Sequence, residues 1–355
     1  MSKPILPVIL SCSGEYLNDN EKKIFNQNNP LGINLFSRNI KNLSQLQELV
    51  SSIKNTIERD DVLIAIDQEG GRVRRLIGTE FHNTASAINI GQLPSNQALR
   101  CAYLHAQITS YDLHKAGINT NYAPVLDAIY SSTTSALKSR CLSDNPKIIS
   151  KLAQQKLDTY LQNGIIPCIK HLPGHGRAVT DPHLSLPVIS ATLKELETDF
   201  FPFCQLNYSP LGMSAHIVIS ALDDQHPATQ SPKVINDIIR GYIGFDGLLI
   251  SDAIDMHALK GSISERTLNS LNAGCDAICY AGGKIDDIYN IISSCQPMSD
   301  KSLERFAKTK KIKYNQPNFD NIETLYQEYL SMLSTIPPYQ EDYDATEVLN
   351  IMNNH

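Results

Sequence analysis

No apolar run in this 355-residue chain approaches the ~20 residues that a membrane-spanning helix needs, so a helical membrane protein is not expected. Cations are in short supply too: 31 Lys and Arg face 37 Asp and Glu, for a net charge of −6. Nucleic acids and anionic membranes call for clustered Lys and Arg, so neither is expected as the main partner. The N-terminus, MSKPILPVILSCSG, has one lysine and a short apolar run broken by two prolines. That makes a poor signal peptide and reads better as a buried strand. The eight cysteines lack the paired spacing of a zinc site, since Cys275 and Cys279 are four apart with no second pair. Several sit in apolar runs such as IIPCIK and CDAICY, the pattern of free, buried thiols in a reducing compartment. A cytoplasmic protein is expected. No repeat, low-complexity tract or Pro/Gly/Ser-rich linker divides the chain. One domain is expected over 1–335, with a polar, acidic, loosely held tail over 336–355.

What the chain does have is alternation. Hydrophobic residues make up 42% and charged residues 19%, which suits a globular protein. Eight short apolar runs recur: 7–14, 32–39, 62–71, 118–127, 164–174, 211–219, 247–255 and 274–283. Such runs suit parallel strands buried on both faces. Helical patterns lie between them. LSQLQELVSSIKNTIE spaces its apolar residues by three and four, NQALRCAYLHAQITSYDLHKAG stops at Gly117, and SPKVINDIIRGYIG opens on Ser-Pro. Eight strand-helix alternations predict a single α/β domain, a (β/α)8 TIM-like barrel. The doubly wound alternative normally has a Gly-rich phosphate loop after its first strand, and SCSGEY is not one. NIETLYQEYLSML predicts an extra C-terminal helix on the outside of the barrel.

Barrel active sites lie at the C-terminal strand ends, and polar residues crowd those ends here. The third run ends in Asp67-Gln68-Glu69-Gly70-Gly71-Arg72, the fourth in Asp127 and the fifth in Lys170-His171; the sixth holds His216 and the seventh Ser251-Asp252. Each has a bland reading: Asp127 as a backbone cap, Gly70-Gly71 as a turn, His216 as a core histidine, and Arg72, Arg74 and Arg75 as a partly solvated run. Five polar strand ends together favour one shared pocket, because buried charges need partners.

Two chemistries compete for that pocket. His171, His216 and Asp252 imitate a metal site. However, no H-x-H follows the first strand, Pro173-Gly174 breaks any helix joining His171 to His175, and H-E-x-x-H is absent. Carboxylate chemistry fits better. Glycoside hydrolysis with retention needs a nucleophile and a proton donor on opposite sides of the scissile bond. Asp252 ends the apolar strand LLISD and can attack an anomeric carbon. A histidine can serve as the proton donor, and TDPH places Asp181 two residues before His183, where its carboxylate would orient the ring and favour its charged form. Within KHLPGHGRAVTDPHLSLP (170–187), Lys170 and His171 belong to the strand end, His175 supports the loop and His183 moves protons. The loop is long and carries Gly174 and Gly176, which suggests a lid that swings His183 in.

The stretches AIDQEGGRVRRL, NYAPVLD, KHLPGHG with TDPH, MSAHIVISALDDQHPAT and GLLISDAIDM resemble glycoside hydrolase family 3, and within it the single-domain bacterial β-N-acetylhexosaminidases. The resemblance covers roughly residues 5 to 310. It implies Asp252 as nucleophile, His183 as acid/base with Asp181 as its dyad partner, and Asp67, Arg75, Arg140, Lys170 and His171 as sugar-binding residues. Relatives commonly read Arg-Ser-Phe where this chain reads Arg140-Cys141-Leu142, and many read D-S-H where this chain has Asp181-Pro182-His183. The implied activity is a retaining exo-β-N-acetylglucosaminidase with no metal and no cofactor. It would act as a monomer in the cytoplasm on cell-wall recycling fragments, the GlcNAc-1,6-anhydro-N-acetylmuramyl peptides. The rivals are a β-N-acetylglucosaminide phosphorylase, a metal-dependent barrel amidohydrolase and an inactive sugar-binding protein.

Overall fold

The computed structural model describes residues 3–182, 185–310, 312, 319–337 and 339. Ten strands occur among them: β1 (Leu6–Ser11), β2 (Pro30–Leu35), β3 (Leu63–Ile66), β4 (Thr120–Asn121), β5 (Ile166–Leu172), β6 (Val188–Ile189), β7 (Leu211–Ser214), β8 (Val218–Ile219), β9 (Leu248–Ala253) and β10 (Ala277–Cys279). Eight of them close into a parallel barrel in the order β1-β2-β3-β4-β5-β7-β9-β10, with β10 pairing back onto β1. These are the eight apolar runs of the sequence. The strands are apolar throughout because both faces are covered. Ile9, Leu31, Leu63, Cys168, Leu211 and Ile250 belong to one buried cluster drawn from around the barrel. Ile33 and Ile64 belong to another, with Leu46, Leu49, Val50 and Ile53 of the helix Leu43–Ile57.

Local chemistry fixes the connections. The helix Ser95–Ala116 stops at Gly117, whose φ of 76° closes the last turn. Ser231 accepts from the Val234 N–H at 3.1 Å and starts the next segment, Val234–Tyr242, which winds as a π-helix. Two expectations change in detail. The fourth strand is only two residues long, because the Ala123 N–H turns back onto the Asn121 carbonyl at 2.8 Å; pairing resumes where Val125 bridges Lys170. The end of the sixth run leaves the barrel, and Val218–Ile219 pairs with Val188–Ile189 in a small parallel sheet.

The predicted extra helix is Ile322–Leu333. It packs outside the barrel against Ser95–Ala116, where Arg100 pairs with Glu328 at 2.7 Å and the buried Tyr329 hydroxyl accepts from the Ala85 N–H at 2.8 Å. Nearly all of the expected tail lies outside the described residues. No described helix is long and apolar enough to cross a membrane.

Candidate active site

The C-terminal strand ends open into one pocket, and seven of the eight residues singled out from the sequence line it: Asp67, Arg75, Arg140, Lys170, His171, Asp181 and Asp252. The eighth, His183, lies outside the described residues.

One side of the pocket is a tightly wired frame of charge. The Lys170 ammonium, at the end of β5, donates to Asp67 Oδ1 at 2.7 Å and pairs with Glu69 Oε1 at 2.6 Å. Arg140, just past a short helix at Ser135–Lys138, donates to both oxygens of Glu69 at 2.8 Å. Arg75 Nη2 stands 3.8 Å from Asp67 Oδ2, close enough for attraction but too long for a hydrogen bond. Burial alone would push the Glu69 carboxyl up, but Arg140 and Lys170 outweigh it and hold it well below the usual carboxylate range. Burial likewise opposes the Lys170 charge, and Asp67 and Glu69 reverse that, so its pKa is raised. Buried charges paired in this way are rigid, and removing one partner strands the others.

Asp127 organises the histidines beside this frame. It accepts from the His175 N–H at 2.7 Å, and its Oδ2 lies 2.6 Å from His171 Nδ1. His171 Nε2 is 3.3 Å from Arg140 Nη2. The ring is thus held between a carboxylate on one nitrogen and a guanidinium on the other. Burial acts against the Asp127 charge, but His171 prevails and its pKa is lowered. The backbone-cap reading of Asp127 is therefore half of the truth, since it also orients a pocket histidine.

Asp252 sits near the end of β9, with its Oδ1 accepting from the Ala253 N–H at 2.8 Å. His216 has no place on the pocket wall. It is fully buried, with Nδ1 2.9 Å from Thr229 Oγ1 and Nε2 donating to the Ala253 carbonyl at 3.0 Å, so it fixes the backbone next to Asp252. Among the described residues, no group of three or more His, Cys, Asp or Glu is arranged to hold a metal ion. Asp181 is buried in the wall, and its neighbour Pro182 accepts from the Ala258 N–H at 3.2 Å, tying the dyad segment to the chain beyond β9.

The loop between Lys170 and Asp181 is more fixed than its glycines suggest. Gly176 is packed so that a Cβ would lie 1.9 Å from the Ala128 carbonyl oxygen, and its own carbonyl accepts from Thr133 at 2.6 Å. Arg177 lies 4.2 Å over the Tyr130 ring and pairs with Asp199 at 2.7 Å. Gly176 thus serves close packing, and Gly174 takes a φ of 135° that glycine favours. Gly70 is similar: at φ 109° a Cβ would meet the Ala85 carbonyl oxygen at 2.2 Å. The solvated-run reading of the arginines is also revised. Arg72 and Arg74 are half-buried, with Arg74 donating to the Gly71 carbonyl at 2.7 Å, and Arg75 is buried.

Sequence reasoning passed over two groups. Glu69 is the hub of the frame, and its only signal was its place in the strand-end run after Asp67. Another part of the pocket lining, formed by Asn34, Phe36, Asp255, Met256 and Ala281, gave no signal because these residues come from three separate strand ends, those of β2, β9 and β10. Burial raises the pKa of Asp255, which accepts from the Ala281 N–H at 3.0 Å. His175 was expected to support its loop, and its backbone does so through Asp127. Its ring is buried in the pocket wall, and neither nitrogen has a hydrogen-bond partner among the described residues.

A closed parallel barrel with this charged pocket at its C-terminal rim is a frame for enzyme chemistry. Residues 9–307 match the glycosyl hydrolase family 3 N-terminal domain, and the chain belongs to that family. It is 32% identical to a β-hexosaminidase of Chromobacterium violaceum, across 86% of this chain and 88% of that one. It is 35% identical to a β-hexosaminidase of Tolumonas auensis, across 77% and 81%. Among solved structures it is similar to native NagZ from Neisseria gonorrhoeae, with 28% identity, a TM-score of 0.80 and coverage of 93% and 96%.

Proposed function

We propose that this chain is a β-N-acetylhexosaminidase that removes terminal β-linked N-acetylglucosamine with retention, using Asp252 as nucleophile and His183, oriented by Asp181, as acid/base. The observation that carries this reading is the shared pocket: Asp252 and Asp181 line the same cavity as the cationic and anionic groups suited to gripping sugar hydroxyls. In the first step the Asp252 carboxylate attacks the anomeric carbon. The bond to the leaving oxygen breaks, and protonated His183 gives that oxygen its proton. In the second step neutral His183 takes a proton from water. The water oxygen bonds to the anomeric carbon, and the bond to Asp252 breaks, returning the carboxylate. Asp67, Arg75, Arg140, Lys170 and His171 bind the sugar and fix its orientation, converting remote contacts into rate.

The finer assignment, to GlcNAc-1,6-anhydro-N-acetylmuramyl peptides released in cell-wall recycling, rests on the motif resemblance. A cytoplasmic site is supported by the eight free cysteines, seven of them buried. Turnover of a chromogenic N-acetyl-β-glucosaminide, with the first-formed sugar followed by NMR, tests the reaction. The β-anomer is expected first, and Asp252→Ala should lower turnover by at least about 10⁴-fold. An α-anomer first, or a wild-type rate in the variant, contradicts the reading. Release of a sugar phosphate only when phosphate is present would point to a phosphorylase instead.

A further inference from the structure

We infer that His175 is a specificity-determining residue whose imidazole recognises the substituent on carbon 2 of the bound sugar. The inference deepens the proposed function and rests on it. Nearly every polar side chain on this part of the wall is spoken for: Lys170 and Arg140 by Glu69, and His171 by Asp127 and Arg140. His175 differs. It is 3% exposed, it lines the pocket, and among the described residues both ring nitrogens lack a partner although its backbone is held by Asp127 at 2.7 Å. A buried polar group without a partner is costly, and one fixed against a ligand cavity is explained if the ligand supplies the partner.

The placement indicates which part of the sugar is met. The ring packs beside His171, with centroids 5.6 Å apart, and it lies within electrostatic reach of Asp252. With its ring packed beside His171 and within reach of the nucleophile, His175 is assigned to the carbons next to the anomeric centre. Burial first, and His171 second, push its pKa down to about 4, so at neutral pH the ring is uncharged and offers one donor and one acceptor. That suits a neutral amide, which has an N–H and a carbonyl, better than an anion or a cation.

The test compares an N-acetyl-β-glucosaminide with the corresponding β-glucoside, which has a hydroxyl on carbon 2. His175→Ala should lower the ratio of the two kcat/KM values about tenfold, the loss expected for one neutral hydrogen bond. His175→Asn, which keeps a donor and an acceptor, should restore part of the ratio. Equal losses on both substrates mark a structural role and overturn the inference, as does an unchanged ratio. If the variants do not fold, a crystal structure of the wild-type enzyme soaked with N-acetylglucosamine decides. A His175 ring nitrogen within about 3.2 Å of the acetamido group supports the assignment, whereas a ring bonded only to water or protein refutes it. A wild-type enzyme inactive on the N-acetylglucosaminide sinks the proposed function itself, an outcome distinct from an unchanged ratio.

Discussion

At the residue scale, the site is defined by which buried charges have partners. Glu69 takes three hydrogen-bonding contacts from Arg140 and Lys170, so Glu69→Gln should destabilise the fold by about 3 kcal/mol, the usual cost of breaking a buried pair. Urea melts at pH 7 measure it, and a change below about 0.5 kcal/mol would mean the frame is not stabilising. The folded pKa of Glu69 lies below its ordinary 4.5. Its contribution is therefore present above pH 4.5 and lost as the pH falls below that value. His175 acts over a higher window. Its pKa falls from 6.5 to about 4 on folding, so the unfolded chain binds the extra proton between those values. Stability is full above pH 6.5 and drops toward pH 4, by roughly 3.5 kcal/mol at about 1.4 kcal/mol per pH unit. Melts across pH 4 to 7 should show this slope, flattened in His175→Asn; an equal slope in both proteins contradicts it.

At the element scale, the strands were legible because burial on both faces leaves an apolar run that no turn or helix imitates. The small sheet of β6 and β8 was not, since two-residue strands carry no period. The loop after β5 is legible only in part, for a related reason: glycine records a lack of Cβ but not whether that lack serves motion or contact. Here it serves contact. Gly176→Ala would drive a methyl into the Ala128 carbonyl and should cost about 1–3 kcal/mol, as overpacking does. The amides of His175 and Ala178, bonded to Asp127 and to the His175 carbonyl, should exchange slowly in the free enzyme and be unchanged by N-acetylglucosamine. Fast exchange at those amides would restore the hinge.

At the scale of the whole molecule, closure of the barrel brings together residues 185 positions apart in the chain, Asp67 and Asp252. The sequence could name most of the pocket's charged members, because charge at the end of an apolar strand is conspicuous. It could not name Phe36, Met256 or Asp255, whose role depends on the meeting of β2, β9 and β10 ends. The outer helix Ile322–Leu333 belongs to stability rather than chemistry: Tyr329→Ala should cost about 3–5 kcal/mol while leaving kcat/KM unchanged. The central claim is that Asp252 bonds covalently to the sugar. Its most direct test is to trap the intermediate with a 5-fluoro N-acetylglucosaminyl fluoride and map the labelled peptide by mass spectrometry. Label on Asp252 is the predicted result; label on another residue, or turnover without any covalent adduct, would contradict it.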